Sequence, residues 1–212
     1  MYCFDFLDQN KEAIVYLNSF IDKNPYSEVA WHQLGRQYYA VKDYNKSVWA
    51  FEYATLIDEN FLGAYLEKAK AYEKLKKYRD AIECYTKTME LDDATSFALL
   101  RVAKCFEKLG LNSSALEYYK KTVHEDPLLD KAWIAITDFY IRQKDYHKAM
   151  FYVNKAIGID SENKYYWKRF ANINRFLDLF EEAEYGYRRA FELGDSTIET
   201  YIYWADSLKY LG

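Results

Sequence analysis

The residue types best able to do chemistry are few in this chain and poorly spaced for it. The three histidines, His32, His124 and His147, lie far apart, and none has a second ligand at metal-binding spacing. The three cysteines, Cys3, Cys84 and Cys105, are an odd number without paired-cysteine spacing, so neither a metal site nor a disulfide framework is expected. No glycine-rich phosphate loop, Gly-x-Ser-x-Gly turn or His-Glu-x-x-His pair occurs. Carboxylates are plentiful, 33 Asp and Glu against 29 Lys and Arg, but nothing selects a catalytic pair, and most fall in turns or on faces that read as solvated. A non-catalytic chain without cofactor or metal is therefore expected. What remains is recognition chemistry, carried by cations, carboxylates and aromatic rings.

Such groups need a scaffold to position them, and a spacing reveals it. Trp31, Trp133 and Trp167 are separated by 102 and then 34 residues, and Pro25 and Pro127 are also 102 apart. A period between about 20 and 50 residues marks a stacked repeat protein. With repeats starting at Glu28, Leu62, Ser96, Asp130, Lys164 and Ile198, position four is Trp31, Tyr65, Leu99, Trp133, Trp167 and Tyr201. Position eight is small throughout (Gly35, Ala69, Ala103, Thr137, Ala171, Ala205), as is position twenty (Ala13, Ser47, Ala81, Ala115, Ala149, Ala183). Position eleven is Tyr38, Tyr72, Phe106, Tyr140, Asn174 and Leu208; position twenty-four is Leu17, Phe51, Tyr85, Tyr119, Val153 and Tyr187.

These columns describe a helical hairpin. Large residues at four and eleven share one helical face, and small residues at eight and twenty let two antiparallel helices approach closely. Short polar turns such as Lys42-Asp43 separate the helices. Acidic stretches such as Asp58-Glu59-Asn60 and Asp160-Ser161-Glu162 precede the next repeat, where a helix start favours negative charge. Asn174 breaks the aromatic column at eleven, and a local irregularity of the fifth repeat is expected there.

The run Trp31-x-x-Leu34-Gly35-x-x-Tyr38, with the later alanine and aromatic columns and the terminal proline, resembles the tetratricopeptide repeat family. The resemblance covers essentially the whole chain. It implies an all-α fold, a right-handed superhelix (α-solenoid) of antiparallel helix pairs, with no catalytic chemistry. The organisation expected is a single solenoid over 1–212: a half repeat 1–27, full repeats 28–61, 62–95, 96–129, 130–163 and 164–197, and a half repeat 198–212.

The resemblance also implies that positions two, five, six and nine of each first helix face a concave groove. Over the five full repeats these positions supply the cations Arg36, Lys70, Arg101, Lys104, Lys131, Lys168 and Arg169 against the anions Glu67 and Asp138. A basic groove on a chain of net charge −4 suits an acidic peptide or protein segment, which the field attracts. Phe97, Leu100, Ile134 and Tyr165 would supply apolar pockets among the cations, with Asn172 beside them. Lys168 and Asn172 match part of the clamp that one subset of the family closes on chaperone tails. Tyr203 stands where that clamp needs asparagine, so chaperone-tail binding is not expected.

Two other partners are weighed. Related helical repeats read RNA through fixed code positions, but here the pI is near 5.5 and those columns vary without pattern (Gln33, Glu67, Arg101, Ala135, Arg169); no nucleic-acid partner is expected. The final half repeat carries Tyr201, Trp204, Ala205 and Leu208 with nothing after them to cover its far side. It reads either as a piece of a longer array or as an open end that pairs with another copy, giving a homo-oligomer. No apolar run approaches the roughly 20 residues that span a bilayer, and no signal segment opens the chain. The cysteine usage fits a cytoplasmic location and leaves a periplasmic one open.

Overall fold

The 34-residue columns become pairs of helices. The computed structural model describes residues 9–211, and among them every regular element is an α-helix. In order these are α1 (Asn10–Lys23), α2 (Glu28–Ala40), α3 (Tyr44–Ile57), α4 (Leu62–Lys74), α5 (Tyr78–Leu91), α6 (Ser96–Lys108), α7 (Asn112–Glu125), α8 (Asp130–Arg142), α9 (Tyr146–Ile159), α10 (Lys164–Phe176), α11 (Phe180–Glu192) and α12 (Ile198–Leu211). The first helices α2, α4, α6, α8, α10 and α12 begin at the residues where the columns place the repeat starts. The fold is an all-α solenoid of helix pairs. It divides into two compact units, residues 1–115 and 116–212, with α7 running through the division. Within unit 1 each of α1 to α5 packs on the next, and within unit 2 each of α8 to α11 does so. Cys3 and Phe4 lie outside the described residues.

The small columns are contact points between helices. A Cβ at Gly35 would lie 2.6 Å from the Phe51 ring, and one at Gly186 would lie 2.9 Å from the Cβ of Ala171. The polar members of these columns satisfy themselves on backbone. Ser47 Oγ donates to the Gly35 carbonyl at 2.8 Å, and Thr137 Oγ1 to the Trp133 carbonyl at 3.0 Å. Both are fully buried, where an unpaired hydroxyl would be costly.

The tryptophan and proline spacings have a common physical cause. Trp31 Nε1 donates to the Pro25 carbonyl and Trp133 Nε1 to the Pro127 carbonyl, each at 2.8 Å. Trp167 makes the equivalent bond to Ser161 at 2.8 Å. In each case the indole ties a first helix to the turn that precedes it. The acidic stretches between repeats act through local geometry as well as charge. Asp58, Asp126 and Asp160 each accept a hydrogen bond from the backbone N–H two residues on, at 3.0, 3.1 and 3.2 Å, the side-chain turn that favours aspartate at such corners.

Every first helix from α2 to α10 ends the same way. The residue at position fifteen has positive φ: Lys42 64°, Lys76 59°, Gly110 74°, Lys144 57° and Asp178 60°. The next N–H then donates back to the carbonyl at position eleven, from Asp43 to Tyr38 at 2.9 Å through Leu179 to Asn174 at 3.0 Å. This is the left-handed C-terminal stop that glycine suits best, and only the third repeat uses glycine. Lys144→Gly should therefore raise stability by about 0.5–1 kcal/mol, and Gly110→Ala should lower it by about 1 kcal/mol, both measured by urea unfolding.

The fifth repeat corrects one expectation. Asn174 does not disturb its helix: α10 has the 13-residue length of α4, α6 and α8 and the same left-handed stop. Its side chain is 2% exposed, and Nδ2 donates to the Phe170 carbonyl at 3.1 Å. An amide that bonds to its own helix fills an aromatic position and leaves the helix length and its stop unchanged.

Candidate functional site

In unit 1 the sequence-expected residues Arg36, Lys70, Phe97, Arg101 and Lys104 lie along the first helices α2, α4 and α6. Two clefts open beside them. One, of about 510 Å³, is lined by Arg36, Gln37, Tyr39, Phe51, Glu67 and Lys70, among others. The other, of about 290 Å³, is lined by Glu73, Lys74, Tyr78, Arg101, Lys104, Cys105 and Lys108. They occupy equivalent places at successive repeats. Leu100 does not join them: it is 7% exposed and belongs to the core. Phe97 is 45% exposed, and the Lys70 ammonium sits 5.8 Å from its ring centre.

The cations are less free than their count implies. Arg36 Nε is 3.7 Å from Glu67 Oε2. His32 Nε2 approaches the same oxygen at 3.1 Å, and neither buried atom gains an aligned hydrogen bond. Burial alone would raise the Glu67 carboxyl; the contact with His32 and the charges of Arg36 and Lys70 outweigh it and hold the group below the usual carboxylate range. Arg101 makes a forked pair with Glu73, Nε to Oε1 at 2.8 Å and Nη2 to Oε2. The Tyr85 hydroxyl donates to Glu73 Oε1 at 2.7 Å. Burial first, then the Glu73 hydrogen bond, pushes that hydroxyl far above its ordinary range, so it stays a donor.

Unit 2 carries Lys131, Ile134, Tyr165, Lys168, Arg169 and Asn172 on α8 and α10. Arg169 forks onto Asp138 at 2.6 and 3.0 Å. Lys168 meets Glu199 at 2.8 Å, Thr197 Oγ1 at 3.0 Å and Asp195 at 3.9 Å. Asn172 Oδ1 accepts from the Tyr187 hydroxyl at 2.6 Å. Lys131 and Tyr165 are exposed and Ile134 is half-buried. Among the counted cations, Arg36, Arg101, Lys168 and Arg169 thus have carboxylate partners. Two of those partners, Glu73 and Asp195, lie outside the positions that define the groove, and Glu199 holds position two of the last half repeat, beyond the five full repeats counted.

Asp195 is 2% exposed, and accepts from the Thr200 hydroxyl at 2.7 Å and the Thr197 backbone N–H at 3.2 Å. Burial raises its pKa, but those hydrogen bonds and Lys168 more than offset it, so the folded carboxyl titrates below its ordinary value. A depressed folded pKa contributes stability that is complete above the unfolded pKa, near 4, and disappears as pH falls through the folded value. Asp195→Asn should cost about 1–2 kcal/mol at neutral pH, with the deficit shrinking below about pH 4; urea unfolding at both pH values checks it.

The remaining reactive groups are quiescent. Cys84 and Cys105 are buried free thiols, pushed up by burial to about 11 and about 12, well away from the thiolate form that reacts. Among the described residues no group of three His, Cys, Asp or Glu is placed to hold a metal ion. None of their helices is long and apolar enough to cross a membrane.

Comparison with known proteins follows the same lines. One tetratricopeptide repeat model matches residues 62–95 and 130–163, and a second matches residues 97–128. Sequence comparison with curated proteins returns no match. Among solved structures, YrrB, described as a tetratricopeptide repeat protein with an unusual peptide-binding site, is similar with a TM-score of 0.69 and 12% identity over 87% of this chain and 95% of its own. The C-terminal part of a repeat protein from Cytophaga hutchinsonii gives 0.74 and 17% over 83% of this chain and 69% of its own. PilF of Pseudomonas aeruginosa gives 0.70 and 15% over 87% and 84%. These likenesses concern the fold. With helix starts every 34 residues from Glu28 to Ile198 and three repeats matched in sequence, the chain is a tetratricopeptide repeat protein, a member of a family of generally non-catalytic scaffolds for protein–protein contact.

Proposed function

We propose that this scaffold binds an acidic segment of a partner protein along the first-helix face of unit 1. The observation that carries the reading is the lining of the two clefts. Arg36, Lys70, Lys74, Arg101, Lys104 and Lys108 surround them, with Glu67 and Glu73 as the acidic members. Six cations against two carboxylates leave a positive surface on a chain of net charge −4, and a concave positive surface raises the local concentration of anionic ligands. The peptide-binding site named for YrrB is compatible with this reading. In unit 2, Lys131, Ile134, Tyr165 and Asn172 stand at the corresponding first-helix positions of α8 and α10, where Arg169 and Lys168 already hold carboxylates.

Lys70 and Lys104 are the residues to change, because Arg101 also supports the fold. A labelled acidic peptide titrated by fluorescence anisotropy should bind the parent chain, weaken with salt, and bind about tenfold less well to Lys70→Glu/Lys104→Glu. A glutamine-for-glutamate peptide that binds as tightly would end the electrostatic reading. A second reading, self-assembly, draws on α12, where Tyr201, Ile202, Leu208 and Tyr210 are 45, 53, 48 and 70% exposed. Sedimentation over a range of concentrations tests it; a single monomeric species throughout would remove it.

A further inference from the structure

We propose, building on the acidic-ligand reading, that Gln37 reads the main chain of the ligand: where an acidic side chain of the partner settles on Arg36 and Lys70, a main-chain N–H beside it donates to Gln37 Oε1. The larger cleft of unit 1 thereby selects an anion carried on a peptide over a bare anion.

That cleft holds two kinds of group. Arg36 and Lys70 supply positive charge, and Gln37 lines the same space of about 510 Å³. Gln37 is 5% exposed, and its Oε1 is buried without a hydrogen-bond partner. Native folds rarely leave a buried amide oxygen in that state, because the hydration it loses is not replaced. Two other unpartnered atoms, His32 Nε2 and Glu67 Oε2, at least approach each other at 3.1 Å, beside the charge of Arg36. The neutral Gln37 gains nothing of that kind. Rotation about its terminal torsion, which is broad for an amide, lets the oxygen meet a donor that enters the cleft.

The chemistry of an acidic ligand says which donor that is. Ionised aspartate and glutamate side chains only accept hydrogen bonds, and the cations Arg36 and Lys70 answer them. The N–H donors left on an acidic segment are those of its main chain. An inorganic polyphosphate brings negative charge but no N–H, so it meets the cations and leaves Gln37 unserved. The second cleft lacks such an acceptor. Position ten of α4 and α6, the first helices that contribute to it, is Ala71, which has no polar side-chain atom, and Cys105, whose thiol is a weak hydrogen-bonding group. Main-chain recognition therefore belongs to the first cleft, while charge draws the ligand to both.

A residue held ready for a ligand leaves a mark that a packing residue does not. Methionine is unbranched and flexible like glutamine but has no amide to satisfy, so Gln37→Met should raise the urea midpoint of the free chain while weakening its ligand. The test uses the full chain in fluorescence anisotropy with a labelled hexaglutamate peptide, the same peptide N-methylated at every main-chain amide, and inorganic tripolyphosphate as competitor. Gln37→Met should weaken hexaglutamate about fivefold and leave the inhibition constant of tripolyphosphate unchanged. N-methylation should weaken binding to the parent by about the same factor, with little further loss in Gln37→Met, since both changes remove one contact. Unchanged hexaglutamate binding by Gln37→Met, losses that multiply with N-methylation, or a lowered urea midpoint would each overturn the contact. If Lys70→Glu/Lys104→Glu still weakens the peptide in that case, the acidic-ligand reading stands. Hexaglutamate that binds no more tightly than hexaglutamine would remove both this proposal and the reading beneath it.

Discussion

Replacing Glu73 with alanine should destabilise the chain by about 2–3 kcal/mol, more than a surface ion pair is worth. Glu73 and Arg101 are 17% and 30% exposed at their side chains, and one carboxylate oxygen takes both the Arg101 Nε–H and the Tyr85 hydroxyl. Removing the acid strands a half-buried guanidinium and a buried phenol together. Partial solvent access keeps the cost below the 3–5 kcal/mol of a fully buried pair broken on one side. The double variant Glu73→Leu/Arg101→Met should recover most of the loss, because an apolar pair of similar volume leaves no charge behind. Urea unfolding at neutral pH decides the matter. A Glu73→Ala midpoint matching the parent would show the network to be decoration.

Gly35→Val should cost about 3 kcal/mol, despite valine's better helix propensity than glycine. A Cβ there would sit 2.6 Å from two atoms of the Phe51 ring, and Phe51 is fully buried. Room for that atom comes only from moving the ring or separating α2 from α3. The Gly35 carbonyl also accepts the Ser47 hydroxyl, so a shift of α2 against α3 breaks that bond too. Phe51→Ala alone should cost about 3–5 kcal/mol through the cavity it leaves. The two changes together should cost clearly less than their sum, since each fills or vacates the other's space. Strict additivity would mean that the valine is accommodated elsewhere.

The scaffold was legible in the sequence because it rests on a repeated contact. Trp31 and Trp133, with Pro25 and Pro127, announced the period; their indole-to-carbonyl bonds explain why the two residue types keep step. Asn174 misled, because a residue type carries no record of the carbonyl its amide will find. For the candidate site, the sequence placed the cations on the first helices but not their ion-pair partners. Counting charges at the groove positions of the five full repeats left out Glu73, one helical turn beyond Lys70, and Asp195 and Glu199, which follow Lys168 by 27 and 31 residues. A signal for three of the pairs was present: Arg36–Glu67, Asp138–Arg169 and Lys168–Glu199 are each separated by 31 residues and are in contact.

That 31-residue register means the repeats of unit 1 are not interchangeable parts. Where Arg36 meets Glu67, the next such pair would be Lys70 with Arg101, two cations, and Arg101 turns to Glu73 instead. A chain edited to lack residues 62–95 would keep its 34-residue phase and every hydrophobic column, yet it would set Arg36 against Arg101 and delete both acids that answer them. Shuffling repeats as modules therefore requires matching each seam by charge, and the order of the repeats is itself part of what the sequence encodes.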